Sequence, residues 1–121
     1  MLGLLQNSTL SDQATLFGRF EMGELRVIKK YPNRRLYDTG RSCYITLEDV
    51  HALVVARVPF QVIDQRNKAD LTRSILLQVV ATLEERHPSL LSQNFLMELI
   101  ARYGAANSRE FAATLERALQ V

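Results

Sequence analysis

Between residues 26 and 45 the chain carries two turn signals close together, which leave room only for short strands. Pro32-Asn33 separates RVIKKY (26–31) from RRLYD (34–38), and Asp38-Thr39-Gly40 separates that piece from SCYI (42–45). Proline pre-sets φ, asparagine and aspartate bond their own backbone, and glycine accepts either sign of φ, so both stretches reverse the chain. The flanking pieces are rich in β-branched and aromatic residues and read as three short strands, with Pro32 at an edge or a bend. A helix start comes next. Thr46 and Asp49 have capping-box spacing, with aspartate where glutamate is usual, and Ile45 and Val50 are placed to staple across the cap. The helix is expected to run to about Ala56 with Leu47, Val50, Leu53 and Val54 inward. After Pro59, FQVID (60–64) alternates as a half-buried strand with Phe60, Val62 and Asp64 on one face.

Helical periods dominate the remainder. Asp70 is placed to cap a helix over about 71–86 whose stripe holds Leu71, Ile75, Leu76, Val79, Val80 and Leu83, widened by Leu77. Beyond Pro88, LLSQNFLMELIARYG supplies Leu91, Phe95, Leu96, Leu99, Ile100 and Tyr103, and Gly104 reads as the stop. Ser108 reads as the cap of a last helix with Phe111, Leu115 and Leu119 inward. The expected fold class is α+β: a small antiparallel sheet or hairpin with a capped helix, followed by amphipathic helices that mediate oligomerisation. Three successive apolar stripes exceed what one small sheet layer can cover, which favours a dimer or tetramer over a purely intramolecular helical hairpin.

Length and residue usage narrow the function classes. At 121 residues the chain is one domain, or one with an appendage. It has no apolar run of about 18 residues, and MLGLLQNSTL lacks the basic start and long apolar centre of a signal peptide. A single cysteine, Cys43, excludes an internal disulfide and suits a reducing cytoplasm. His51 and His87 lie far apart and at ligand spacing from nothing, so no metal site is expected. No glycine-rich phosphate loop is present, and no cue activates Cys43. The expectation is therefore no catalytic residue, no cofactor and no enzyme.

The charge is segregated. Residues 26–41 hold six basic groups (Arg26, Lys29, Lys30, Arg34, Arg35 and Arg41) against Asp38 alone, a net +5, whereas all other residues together carry nine basic and twelve acidic groups, a net −3. Such a local positive field is the footprint of a polyanion site. Lysine and arginine neutralise phosphates and release counterions, and arginine adds a fork that fits a phosphate or a guanine edge. Asn33 can pair with adenine, and Tyr31 or Tyr37 can touch backbone or stack on an unpaired base. Leu36 and Tyr37 read as core, and Asp38 as a group that pins a neighbouring arginine. Duplex and single strand both remain open on these residues.

The strings IKKYPNRRLYDT (28–39), YITLEDV (44–50), F-x-V-x-D (60–64) and DLTRSILLQ (70–78) resemble the DNA-binding N-terminal domain of the polyhydroxyalkanoate synthesis repressor family, also called PhaR. FLMELIARYG (95–104) and, more distantly, TLERAL (114–119) resemble the helical accumulation-regulator module of that family. Residues 1–25, of mixed polarity and without sustained period, read as a flexible or weakly helical arm and lie outside the resemblance, which implies a DNA-binding domain over 26–87 and a helical accumulation-regulator or oligomerisation module over 88–121. It implies a bacterial, cytoplasmic and partly granule-associated regulator, a repressor, with promoter DNA and the polyhydroxyalkanoate polymer or granule surface as partners. Nascent granules would titrate it off DNA. Carried onto this chain, the family's basic tract falls on Lys29, Lys30, Tyr31, Asn33, Arg34, Arg35 and Tyr37; Arg41 joins it by charge. Arg73 is either a DNA contact or a residue that caps or pairs near its own helix. Phe95, Leu96, Leu99, Ile100, Phe111 and Leu115 are the candidates for polymer or subunit contact. Two departures from the family pattern stand out: LVVARVP (53–59) lacks the usual glycine, and the usual Gly-Glu-Asp turn is Lys68-Ala69-Asp70. The rival functions are a phasin-like structural protein of the granule surface and an RNA-binding adaptor.

Overall fold

A computed structural model describes residues 24–86 and 88–120. The expected N-terminal arm lies almost wholly outside the described residues. Among the described residues, four strands, β1 (Arg26–Lys30), β2 (Leu36–Asp38), β3 (Cys43–Ile45) and β4 (Phe60–Asp64), and four helices, α1 (Leu47–Val55), α2 (Thr72–Arg86), α3 (Gln93–Arg102) and α4 (Ser108–Leu119), make an α+β fold. The chain divides into two compact units between Thr82 and Leu83.

The first unit holds one sheet of order β3-β2-β1-β4. β1–β2 and β2–β3 are antiparallel, as the two turns require, but β4 joins β1 in parallel, with Ile28 beside Val62 and Lys30 beside Asp64. The sheet is thus mixed where an antiparallel one was expected. The reason is the capped helix: the chain travels from β3 through α1 before it returns as β4, and such a crossover can deliver a parallel strand where a hairpin cannot. The strands are also shorter than the sequence suggests. β2 begins at Leu36, so Arg34 and Arg35 belong to the loop.

Alternation fixes two faces. Ile28, Leu36, Ile45 and Val62 share one face and are buried, as are Val50 of α1 and Ile75 and Val79 of α2; these seven are the core. Only Val50 is buried in α1, and Leu76, Leu77 and Val80 of the expected α2 stripe are exposed. Val27, Lys29, Tyr37, Tyr44, Gln61 and Ile63 share the opposite face, where none is buried. The capping box forms as expected: the Asp49 amide donates to Thr46 Oγ1 at 3.3 Å and the Thr46 amide to Asp49 Oδ2 at 2.9 Å. Asp70 acts one step before α2, where its Oδ1 accepts from the Thr72 amide at 2.9 Å and the Thr72 hydroxyl at 2.6 Å.

Among the described residues, four other than glycine take left-handed backbone: Arg34 (φ 71°), Ser42 (57°), Arg57 (62°) and Lys68 (64°). Arg57 lies within LVVARVP and Lys68 opens Lys68-Ala69-Asp70, and at both a side chain bears the steric cost of positive φ.

In the second unit, Ser92 Oγ accepts from the Phe95 amide at 3.0 Å and starts α3. Gly104, at φ +81°, follows its end and serves as the expected stop. Ser108 is not the cap of α4 but its first residue; Asn107 precedes it without a side-chain cap bond. Leu119, expected inward, is exposed. The segment ahead of α3 is tied back by Glu84, whose carboxylate accepts from the amides of Leu90 (2.9 Å) and Leu91 (3.1 Å).

Candidate nucleic-acid interface

β1 and β2 are joined by the loop 31–35, with Pro32-Asn33-Arg34 as its three-residue tip. The Arg34 amide donates to the Tyr31 carbonyl at 2.8 Å, the Tyr31 amide to the Arg35 carbonyl at 2.9 Å, and the Arg35 amide to Asn33 Oδ1 at 3.0 Å. This is the usual three-residue hairpin: a turn with proline second, then a left-handed residue, which is most often glycine. Here that residue is Arg34. Asn33, expected to read adenine, engages its carbonyl oxygen in shaping the loop, and so holds Arg34 and Arg35 in place. Residues 32–35 are all exposed.

Beside the loop lies the open face of the sheet. The register aligns Ile63, Lys29, Tyr37 and Tyr44 across all four strands. Tyr37 meets Tyr44 edge to face at 5.3 Å, Tyr31 lies 6.2 Å from Tyr44, and the Arg35 guanidinium stacks 3.9 Å over the Tyr44 ring. Tyr37, expected in the core, is therefore half-buried on the outer face. Sequence reasoning missed Tyr44 altogether. The signal was there in the alternation of Cys43, Tyr44 and Ile45, but its value depends on which residues the register sets opposite. A ring under a guanidinium stabilises it by about 0.5–1 kcal/mol at an exposed site and limits its rotamers. Lys30 projects from the other face at the sheet's end and, with Arg34 and Arg35, lines a cleft of about 830 Å³ beside Leu47 and Ile75.

The eight residues expected to bind DNA are not all brought together. Lys29, Lys30, Tyr31, Asn33, Arg34 and Arg35 gather at the C-terminal end of β1. Arg41 lies in the β2–β3 turn, which packs at the N-terminal end of β1, where the Thr39 amide donates to the Val27 carbonyl at 3.1 Å. The two ends of β1 are roughly 13 Å apart at ~3.3 Å per residue. Arg73 is exposed in the first turn of α2, whose start is tied to β4 through the 2.8 Å bond from the Val62 amide to Thr72 Oγ1.

Asp38 secures the Arg41 turn. Fully buried, it accepts from the Gly40 amide (2.9 Å), the Arg41 amide (3.3 Å) and Arg26 Nη1 (3.4 Å). It thus pins a neighbouring arginine, as expected. A Cβ at Gly40 would meet Arg26 Nε at 2.8 Å, so a side chain there would make the flexible Arg26 side chain shift. At the opposite end of the sheet, the Arg66 amide is the largest of the effects that hold the Asp64 carboxyl below its ordinary range, and the Thr72 hydroxyl does the same for Asp70.

In the second unit, the six apolar candidates split. Phe95, Leu99, Phe111 and Leu115 are half-buried, while Leu96 and Ile100 are exposed. Leu99, Phe111 and Leu115 also line a small groove of about 260 Å³ with Tyr103 and Ala112, and Arg102 lies 5.0 Å from the Phe111 ring. No helix among the described residues is long and apolar enough to cross a membrane.

The chain is 49% identical over 100 residues to an uncharacterized protein of Allochromatium vinosum, a match that covers 83% of this chain and 65% of that one. It is 47% identical over 100 residues to an uncharacterized protein in the phbA 5′ region of Thiocystis violacea, with 83% of this chain and 72% of the relative covered. The chain thus spans about two thirds of the length of these relatives. No solved structure matches it. The model of the PHB/PHA accumulation regulator DNA-binding domain matches residues 27–87, which take in the sheet from its second residue onward, the hairpin loop, α1 and α2. The chain belongs to the family of PHB/PHA accumulation regulator DNA-binding domains.

Proposed function

We propose that the protein is a transcriptional repressor of polyhydroxyalkanoate storage genes that binds promoter DNA through its β1–β2 hairpin. The observation that carries this reading is the loop at 31–35. It is exposed, its shape is set by three local hydrogen bonds, and it presents Arg34 and Arg35 beside Lys29 and Lys30 within the matched DNA-binding region. A two-stranded ribbon of this kind fits a major groove. Arg35, stacked on Tyr44, is a pre-organised fork for a guanine edge or a phosphate. Lys29, Lys30 and Tyr31 supply flanking contacts, and Asn33 acts by holding the loop. Arg41 and Arg73, at other positions on the unit, contact backbone at most. The phbA 5′ region named for one relative agrees with a link to polymer storage.

The helices supply the rest of the proposal. Phe95, Leu96, Leu99, Ile100, Phe111 and Leu115 join subunits as a homodimer or homotetramer, and the same apolar side chains meet the polyester granule surface. Granules release the repressor only through a differential affinity for the DNA-free state. The protein is then cytoplasmic and partly granule-associated, and takes no cofactor.

The test is a titration of fluorescent promoter duplex, against scrambled duplex and over a series of salt concentrations, with wild type and with Arg34→Ala/Arg35→Ala. Sequence-preferring binding that the double substitution weakens supports the repressor. Weak, equal binding to every duplex by both proteins refutes it and favours a granule coat.

A further inference from the structure

Because β1 and β4 run parallel with Lys30 beside Asp64, the chain leaves both strands at the same end of the sheet. From β1 it enters the 31–35 loop; from β4 it enters the turn at residues 65–69. The Gln65 amide donates to the Lys30 carbonyl at 2.9 Å and pins the two together. The turn has a defined shape. Asp64 Oδ1 accepts from the amides of Arg66 (2.8 Å) and Asn67 (3.3 Å), the Asp64 carbonyl accepts from the Lys68 amide (2.9 Å), and Asn67 Oδ1 accepts from the Ala69 amide (2.9 Å). Its two cations face outward. Arg66 has a side chain 69% exposed and only a 4.0 Å approach to Asp64, and Lys68 Nζ reaches the Gln65 carbonyl at 3.1 Å. Lys68 sits at φ 64°, a conformation that glycine or asparagine adopts at less cost. Asp64 and Asp70 leave the stretch 64–70 without net charge, so the two cations act through their exposure and their place beside the hairpin loop.

We propose that Arg66 and Lys68 form a second cationic prong, which grips the phosphate backbone of the same DNA duplex that the hairpin binds. This rests on the hairpin binding DNA. The contact is to phosphate, because a compact turn carrying point charges positions a duplex, whereas a ribbon or helix is needed to enter its groove.

The experiment compares Arg66→Ala/Lys68→Ala with Arg34→Ala/Arg35→Ala and with Arg109→Ala/Arg117→Ala, which removes equal charge from α4. Fluorescence anisotropy reads promoter and scrambled duplex at four or more salt concentrations. Each phosphate contact contributes about 0.9 to the slope of log K against log salt. The turn variant is expected to make the slope shallower by about 1–2 units and to weaken both duplexes alike, roughly tenfold at low salt. A slope equal to that of the α4 control, while the hairpin variant is impaired, overturns the prong and leaves the hairpin reading intact. An unimpaired hairpin variant overturns the reading beneath it. A loss confined to promoter duplex overturns the phosphate assignment. Should the alanine variant fail to fold, Arg66→Gln/Lys68→Gly, which suits the positive φ, carries the same test.

Discussion

Replacing Arg34 with glycine separates two reasons for a residue to be present. Arg34 holds φ at 71°, is exposed, and contributes only its backbone amide to the hairpin, through the bond to the Tyr31 carbonyl. A side chain in left-handed backbone costs about 1–2 kcal/mol. Glycine removes that strain but brings a more disordered unfolded chain, which takes back about 0.4–1 kcal/mol. The balance is a stabilisation of about 0.5–1 kcal/mol, or roughly 2–8 °C in melting temperature for a unit of this size. DNA affinity should move the other way. Loss of one arginine contact to a base or phosphate weakens binding by about 1–3 kcal/mol, a drop of fivefold or more. Thermal unfolding followed by circular dichroism, with anisotropy on promoter duplex at one fixed salt concentration, reads both quantities on one sample. A variant that melts lower than wild type refutes the strain argument. One that melts higher but binds equally well refutes the assignment of Arg34 to DNA. The expected pairing, more stable and weaker in binding, marks a position held for function against fold stability.

Other outcomes follow from the same geometry. Asp38→Ala removes the acceptor for the Gly40 and Arg41 amides and for Arg26 inside the buried edge of the sheet, and should lower stability by about 2–4 kcal/mol, visible as a fall in urea midpoint. Tyr44→Leu takes away the ring beneath Arg35 and should weaken promoter binding several-fold, whereas Tyr44→Phe should keep it; equal affinity for all three proteins would show that the stack positions nothing. Asp64 and Asp70 both titrate below their unfolded value of 3.8, so their contribution is fully present above that value and is lost as pH falls through the depressed folded values. Urea midpoints should therefore decline below about pH 4, and Asp64→Asn should flatten that decline.

Much of this was legible locally. Thr46 and Asp49 stand three residues apart, and the box they form depends on nothing distant. Pro32-Asn33 announces its turn in the same way, and the apolar periods announce the helices. Where the reading slipped, a neighbour in space decided. RRLYD reads as a strand from Arg34 onward, yet the hairpin needs a left-handed residue there and draws both arginines into the loop. Ser108 has the chemistry of a cap, but α4 simply begins on it.

The charge pattern shows the division most clearly. By itself the sequence determined that positive charge is concentrated in residues 26–41, that the strands are short and that helices follow, because composition, turn chemistry and capping act over a few residues. It could not say that Arg41 is carried to the opposite end of the sheet from Arg34, since that depends on two successive reversals and their register. Nor could it bring the turn at 65–69 beside the loop at 31–35. That placement comes from the parallel pairing of Lys30 with Asp64, across an intervening hairpin and helix. Long-range pairing goes with the joint burial of Ile28 and Val62, both fully buried and side by side in the register, a property of the packed whole that no short stretch of residues records.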